Sequence, residues 1–218
     1  YGQHALRFEA NGHCPGSFYV FDWNSLDTSI DHASDLDVRV DQALEEWESS
    51  QVILMGHSAG GGLGYVYLED PEHAAKVLSY VHIGSYTEEG PAGAEGEVPT
   101  LNLYSANDMA IEDQGDIPGA TNIKLDSEDH YQVATSEASF EAIYTFIHDG
   151  VAPETLSPAL DDEVSVSGRV LTFGENNPVE GALSVFPIAA DTGARVAQAP
   201  IYSTDIPLDG AFENVVLD

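Results

Sequence analysis

The stretch QVILMGHSAGGGLGY, residues 51–65, decides the fold. Residues 52–55 form a short unbroken apolar run, the pattern of a strand buried on both faces. Residues 60–68 continue in small and apolar side chains over a helical length. Between the two, Gly56-His57-Ser58-Ala59-Gly60 matches Gly-x-Ser-x-Gly, a sharp strand-to-helix turn that lifts a serine hydroxyl above a sheet. Such a turn is crowded, so a Cβ at either Gly56 or Gly60 is expected to clash. Ser58 would then stand at a helix N-terminus, where the dipole and free N–H groups favour developing negative charge.

Outward from this point, strand and helix patterns alternate. Residues 2–11 read as a helix stopped by Asn11-Gly12. Residues 17–21 (SFYVF) read as a buried strand, and 22–35 as a polar loop. Leu36, Val40, Ala43, Leu44 and Trp47 keep the helical period and predict an amphipathic helix over 37–49. Strands are predicted at 77–83, 101–104 and 122–125, and Phe140, Ile143, Tyr144 and Ile147 mark a last helix. The fold class is therefore α/β, a mostly parallel sheet with helices on both faces. Right-handed crossovers bring the strand C-termini to one edge, where ligands and chemistry gather.

After Gly150 the pattern changes. Residues 151–162, rich in Pro, Ser and Asp, read as a linker. Short strands at 164–172, 181–187 and 212–217, separated by turns such as Asp209-Gly210, make 163–218 a partial all-β sandwich module. The division expected is a catalytic domain over 1–150, the linker, and this module.

The 218 residues carry 38 acidic against 6 basic side chains, a net charge of −32. Such a surface repels nucleic acid and anionic lipid, because phosphate binding needs Lys and Arg. It suits a high-salt habitat, where screening weakens self-repulsion, or equally an acidic extracellular enzyme. No apolar run approaches the roughly 18–20 residues of a membrane span, and no signal peptide is visible at Tyr1-Gly2-Gln3-His4. Cys14 is the only cysteine, so neither an internal disulfide nor a Cys-type metal site is available. Asp27, Asp31, Asp35 and Asp37 lack the spacing of a calcium loop and read as a solvated run.

A nucleophilic serine needs a base, and the base an orienting acid. On a Gly-x-Ser-x-Gly sheet the chain order is Ser, Asp or Glu, His. Of the later histidines, His73 sits among acids as a surface residue and His82 lies inside a strand as a satisfied core residue. His148 ends a helix, where a cation suits the dipole. His130 differs: it follows the strand 122–125 through a loop at the expected reactive edge. Asp108 is the first carboxylate after the strand 101–104, ahead of Asp113 and Asp116.

Ser105-Ala106-Asn107-Asp108-Met109, Gly119-Ala120-Thr121-Asn122-Ile123 and Asp129-His130, together with the turn at Ser58, resemble small bacterial α/β-hydrolase lipases over about residues 2–147. The resemblance implies Ser58 as nucleophile, Asp108 as acid and His130 as base. It also implies the Ala59 N–H as an oxyanion-hole donor, an ester or lipid substrate, and a secreted enzyme needing no cofactor and no metal. His130 to Ser136 also looks like lipases with an added C-terminal β domain. The family's His-Gly stretch on an earlier strand, source of the second oxyanion donor, is missing, so the chain reads as an internal fragment lacking N-terminal strands. Residues 86–98, rich in Gly and Glu, show no amphipathic lid, which leans toward an open-site esterase or lidless lipase. Val166 to Val170, Pro178 to Ala182 and Asp209 to Phe212 resemble transthyretin-like modules. A thioesterase or amidase on the same fold, or a non-catalytic binding protein retaining it, stays open at this level.

Overall fold

The computed structural model describes residues 2–158, 164–189 and 192–217. The chain divides into two compact units, Tyr1–Phe21 with Ser29–Ala159, and Asp22–Thr28 with Leu160–Asp218.

In the first unit the elements run α1 (Gly2–Ala10), α2 (His32–Glu46), β1 (Val52–His57), α3 (Ala59–Leu68), α4 (Pro71–Ala74), β2 (Val77–Ile83), β3 (Thr100–Ser105), β4 (Thr121–Leu125) and α5 (Glu137–Ile147). The four strands form one sheet in the order β1-β2-β3-β4, every pairing parallel. Side chains of alternate parity leave the sheet on opposite faces. Ile53, Met55, Val81, Ile83, Leu101, Leu103, Ile123 and Leu125 pack with Phe8 of α1 and with Phe140, Ile143 and Tyr144 of α5. Val52, Leu54, Val77 and Tyr80 pack with Leu36 and Val40 of α2 and with Tyr67 and Leu68 of α3. Two helical layers thus cover the two faces, each large side chain buried contributing about 1.5–3 kcal/mol. No described helix is long and apolar enough to cross a membrane.

Several expectations change. Residues 17–21 form no strand. Their aromatics are taken up as side chains instead: the Phe18 ring lies 5.1 Å from Phe8, and Tyr19 lies under Arg39 at 4.8 Å. The Val20 carbonyl accepts from Arg39 Nε at 3.2 Å, a bond to a helix side chain rather than to a strand partner. Helix α2 starts five residues earlier than its apolar period suggests, because the Asp31 side chain accepts the Ser34 N–H at 3.1 Å and caps it. It stops before Glu48, whose φ of 46° departs from the helix.

The described part of the expected linker, 151–158, is fastened to α1 and to Asn11 just after it. Arg7 Nε donates to the Leu156 carbonyl at 3.0 Å and Asn11 Nδ2 to the Thr155 carbonyl at 2.8 Å, while Leu156 joins the apolar cluster. The rest of it, 159–162, lies outside the described residues.

The second unit holds two antiparallel pairs, β5 (Val164–Arg169) with β8 (Ala211–Leu217) and β6 (Gly181–Val185) with β7 (Tyr202–Ile206). Strand β7 is additional to the sequence reading. Residues 22–28, read from sequence as part of the first domain, belong here: the Ser25 N–H donates to the Gly174 carbonyl at 3.0 Å and Asn176 Nδ2 to the Trp23 carbonyl at 2.6 Å. Among its described residues only Ile206, Gly210 and Val215 are buried, a thin core for its length.

Candidate active site

Because all four strands of the sheet are parallel, β1, β2, β3 and β4 deliver their C-terminal ends to one edge. The loops that follow them carry Ser58, Gly84, Asp108 and His130.

Ser58 lies between β1 and α3 as the helix N-cap, with φ 56° and ψ −123°. A positive φ in a residue with a Cβ is costly and persists only where the surroundings enforce it. Two hydrogen bonds and one bare neighbouring position do so. The Ser58 N–H donates to the Ile83 carbonyl of β2 at 3.0 Å, and the Gly61 N–H donates to the Ser58 carbonyl at 2.8 Å. Gly56 is the bare position, since a Cβ there would run into the Gly60 carbonyl and come within 2.8 Å of Tyr80 Oη. Gly60, expected to need the same bareness, has nothing within 4 Å of its Cβ position. The demand falls instead on Gly61, whose Cβ would lie 2.6 Å from Ser85 Cβ, and on Gly64, whose Cβ would enter the Tyr80 phenol. These two bare positions let α3 press onto β2.

Asp108 follows β3 through a turn in which the Ala106 N–H donates to the Leu125 carbonyl at 2.9 Å. Its side chain is fully buried. Oδ1 accepts the Ala110 N–H at 2.9 Å and Oδ2 accepts His130 Nδ1–H at 2.8 Å. Burial pushes this carboxyl up, but the bonds from His130, Ala110 and Gln114 outweigh it and leave the group below the ordinary aspartate range.

His130 follows β4. Its ring bridges Asp108 to Ser58, with Nε2 at 3.0 Å from Ser58 Oγ. An ionised carboxylate only accepts, so the proton sits on Nδ1 and Nε2 offers a lone pair to the Ser58 hydroxyl. Asp129, the residue before it, accepts the N–H groups of Tyr131 and Gln132 at 2.9 and 2.8 Å and so shapes the turn Gln132–Ala134. The three side chains singled out in the sequence thus meet in one hydrogen-bonded line from a dry carboxylate to a part-buried hydroxyl. Ala59 is the first residue of α3, where the helix ladder leaves the N–H without an intrahelical acceptor.

Two further neighbours adjoin this line. His57, the last residue of β1, directs Nε2 to the His130 carbonyl at 2.7 Å, and the two rings lie 4.6 Å apart. Gly84 has φ 49°, and its Cβ would lie 2.8 Å from Val133 Cγ1 and 3.3 Å from Asp108 Oδ2. The signal for His57 was inside the motif itself, a polar ring beside the serine.

The remaining histidines lie apart from this line. His82 is buried and bonds the Tyr86 carbonyl at 2.9 Å, a satisfied core residue. His73, expected on the solvated surface, stacks on Tyr67 at 4.4 Å and bonds its carbonyl at 3.0 Å. His148 caps the C-terminus of α5 and meets His13 at 3.1 Å. Within the acidic run, Asp37 is not merely solvated: it accepts from Lys76 at 2.8 Å and from the Tyr67 hydroxyl at 2.9 Å. Residues 86–98 form neither helix nor strand.

No curated protein matches the chain. Residues 162–218 match the family described as the lipase C-terminal domain, where the sequence motifs alone had suggested a transthyretin-like module. The module over 162–218 is therefore similar to a lipase C-terminal domain, consistent with a lipase-related protein.

Proposed function

We propose that this chain carries a serine hydrolase that cleaves carboxylic esters through an acyl-enzyme, with Ser58, His130 and Asp108 as its catalytic triad. The observation that carries the reading is the continuous bond line Ser58 Oγ–His130 Nε2 and His130 Nδ1–Asp108 Oδ2, at 3.0 and 2.8 Å. Ser58 Oγ attacks the ester carbonyl as its proton passes to His130 Nε2. The buried Asp108 carboxylate stabilises the imidazolium that results and holds its tautomer. The proton then goes to the departing alkoxide, leaving the acyl group on Ser58. Water, deprotonated by the same nitrogen, releases the acid and restores the serine. The Ala59 N–H, at the N-terminus of α3, donates to the oxyanion formed in each step.

A lipid or other apolar ester is the substrate class we favour. The match at 162–218 supports it, as do two exposed apolar side chains, Met109 next to Asp108 and Tyr131 next to His130. The test is a series of p-nitrophenyl esters of increasing acyl length, assayed with the wild-type chain and Ser58→Ala. Hydrolysis that rises with chain length and vanishes in the variant is expected. A wild-type chain that releases no p-nitrophenolate at any length would refute the reading.

A further inference from the structure

We infer that His57 is a positioning residue for His130: its Nε2–H holds the backbone carbonyl of the base and fixes the distance from base to nucleophile. The inference rests on the triad reading above. A carbonyl oxygen only accepts, so the 2.7 Å contact requires the proton of His57 on Nε2. His57 is the last residue of β1 and covalently precedes Ser58. The bond therefore clamps the loop of the base directly to the strand that presents the nucleophile, across 73 residues of chain.

Other ties on this loop do not run to β1. The Asp129 bonds to Tyr131 and Gln132 are local to the loop. Asp108 orients the ring through Nδ1. Asn107 Nδ2 ties the loop to the turn after β3 through the Ser127 carbonyl at 3.0 Å, whereas the His57 bond ties it directly to the strand that carries Ser58. A shift of about 1 Å would lengthen the 3.0 Å contact beyond hydrogen-bond range.

The surroundings suit a neutral donor. The rings of His57 and His130 lie 4.6 Å apart, so a charge on His57 would oppose the imidazolium that His130 must form. Burial, with the His130 charge next, holds the His57 imidazole below its ordinary value. The groups facing it are His130 and Asp108, and the absent Cβ of Gly84 leaves room beside it, 3.5 Å from His57 Cδ2.

The test compares His57→Phe, which keeps a flat ring without the donor, with His57→Gln, whose amide nitrogen sits the same number of bonds from Cβ as Nε2. Ester hydrolysis by His57→Phe should fall about 10- to 100-fold in kcat with KM within about twofold, the scale of a misplaced reacting group. His57→Gln should recover most of that loss. Equal rates for wild type and His57→Phe, or equal losses in both variants, would overturn the inference while leaving the hydrolase reading intact. An inactive wild type would count against the hydrolase reading instead. Nitrogen-15 NMR of the wild-type full chain supplies a readout free of activity and of any folding defect. We expect His57 as the Nε2–H tautomer with a slowly exchanging proton, and finding the Nδ1–H tautomer would overturn the clamp.

Discussion

Replacing Asp108 by Asn should abolish most of the activity while leaving the fold in place, and the structure says why. Asp108 divides its oxygens, Oδ1 to the Ala110 N–H at 2.9 Å and Oδ2 to His130 Nδ1 at 2.8 Å. An asparagine that keeps its oxygen on Ala110 turns its NH2 toward His130. The imidazole must then accept at Nδ1, which moves its own proton to Nε2 and leaves no lone pair for the Ser58 hydroxyl. The attraction that stabilises the imidazolium is lost as well. At an effective dielectric of about 20, unit charges about 3 to 4 Å apart attract by about 4–6 kcal/mol, which converts to about 10³–10⁴ in rate. Asp108 makes no contact that a bound ester would replace, so the loss should appear in kcat with KM within a few-fold. The assay is steady-state hydrolysis of a short p-nitrophenyl ester, with thermal unfolding measured on the same sample. A folded Asp108→Asn enzyme within tenfold of the wild-type kcat would refute both the assigned tautomer and the role of the acid.

Further predictions concern the scaffold. Gly64→Ala places a methyl in the Tyr80 phenol, whose hydroxyl donates to the Gly61 carbonyl at 2.6 Å, so unfolding measurements should show a loss of about 1–3 kcal/mol. Gly60→Ala, with nothing within 4 Å of its Cβ, serves as the control and should lose little. His4 is 3% exposed, and among the described residues its Nε2 has no hydrogen-bond partner. Burial, followed by the Arg7 charge, lowers its pKa to about 4. The unfolded chain therefore binds the extra proton first as pH falls. The stability His4 contributes is complete above about pH 6.5 and declines toward pH 4, by about 3 kcal/mol in all. His4→Phe should flatten this part of the stability–pH curve, and an unchanged curve would show that His4 is not what titrates.

What was legible in the sequence follows from what is local. The apolar run 52–55, the glycines after it and the order of Asp108 and His130 are properties of short segments and chain order, and they pointed to the sheet edge where Ser58, Asp108 and His130 meet. Asp108 could be separated from Asp113 and Asp116 because it comes first after β3; Asp116 instead accepts from the Tyr104 hydroxyl at 2.7 Å. The misses are tertiary. SFYVF has the composition of a strand, yet its rings pack on α1 and under Arg39, with Phe21 in the α2–α3 core. Residues 22–28 carry no signal that their partners lie at 174 and 176. His57 stands beside Ser58 in the motif, but its partner is a backbone carbonyl, and a carbonyl leaves no trace in a side-chain pattern. The crowding at Gly61 and Gly64 depends on Ser85 and Tyr80, which only the packed sheet brings against the helix.

The central claim is that Ser58 is a nucleophile activated by His130. Its most direct test is covalent: incubate the full chain with a fluorophosphonate, digest it, and locate the adduct by mass spectrometry. The account predicts one stoichiometric adduct on Ser58, absent from Ser58→Ala and formed at least about a hundredfold more slowly in His130→Ala, in line with the usual contribution of a general base. A folded wild-type chain that takes no label, or takes it on another serine, would contradict the account.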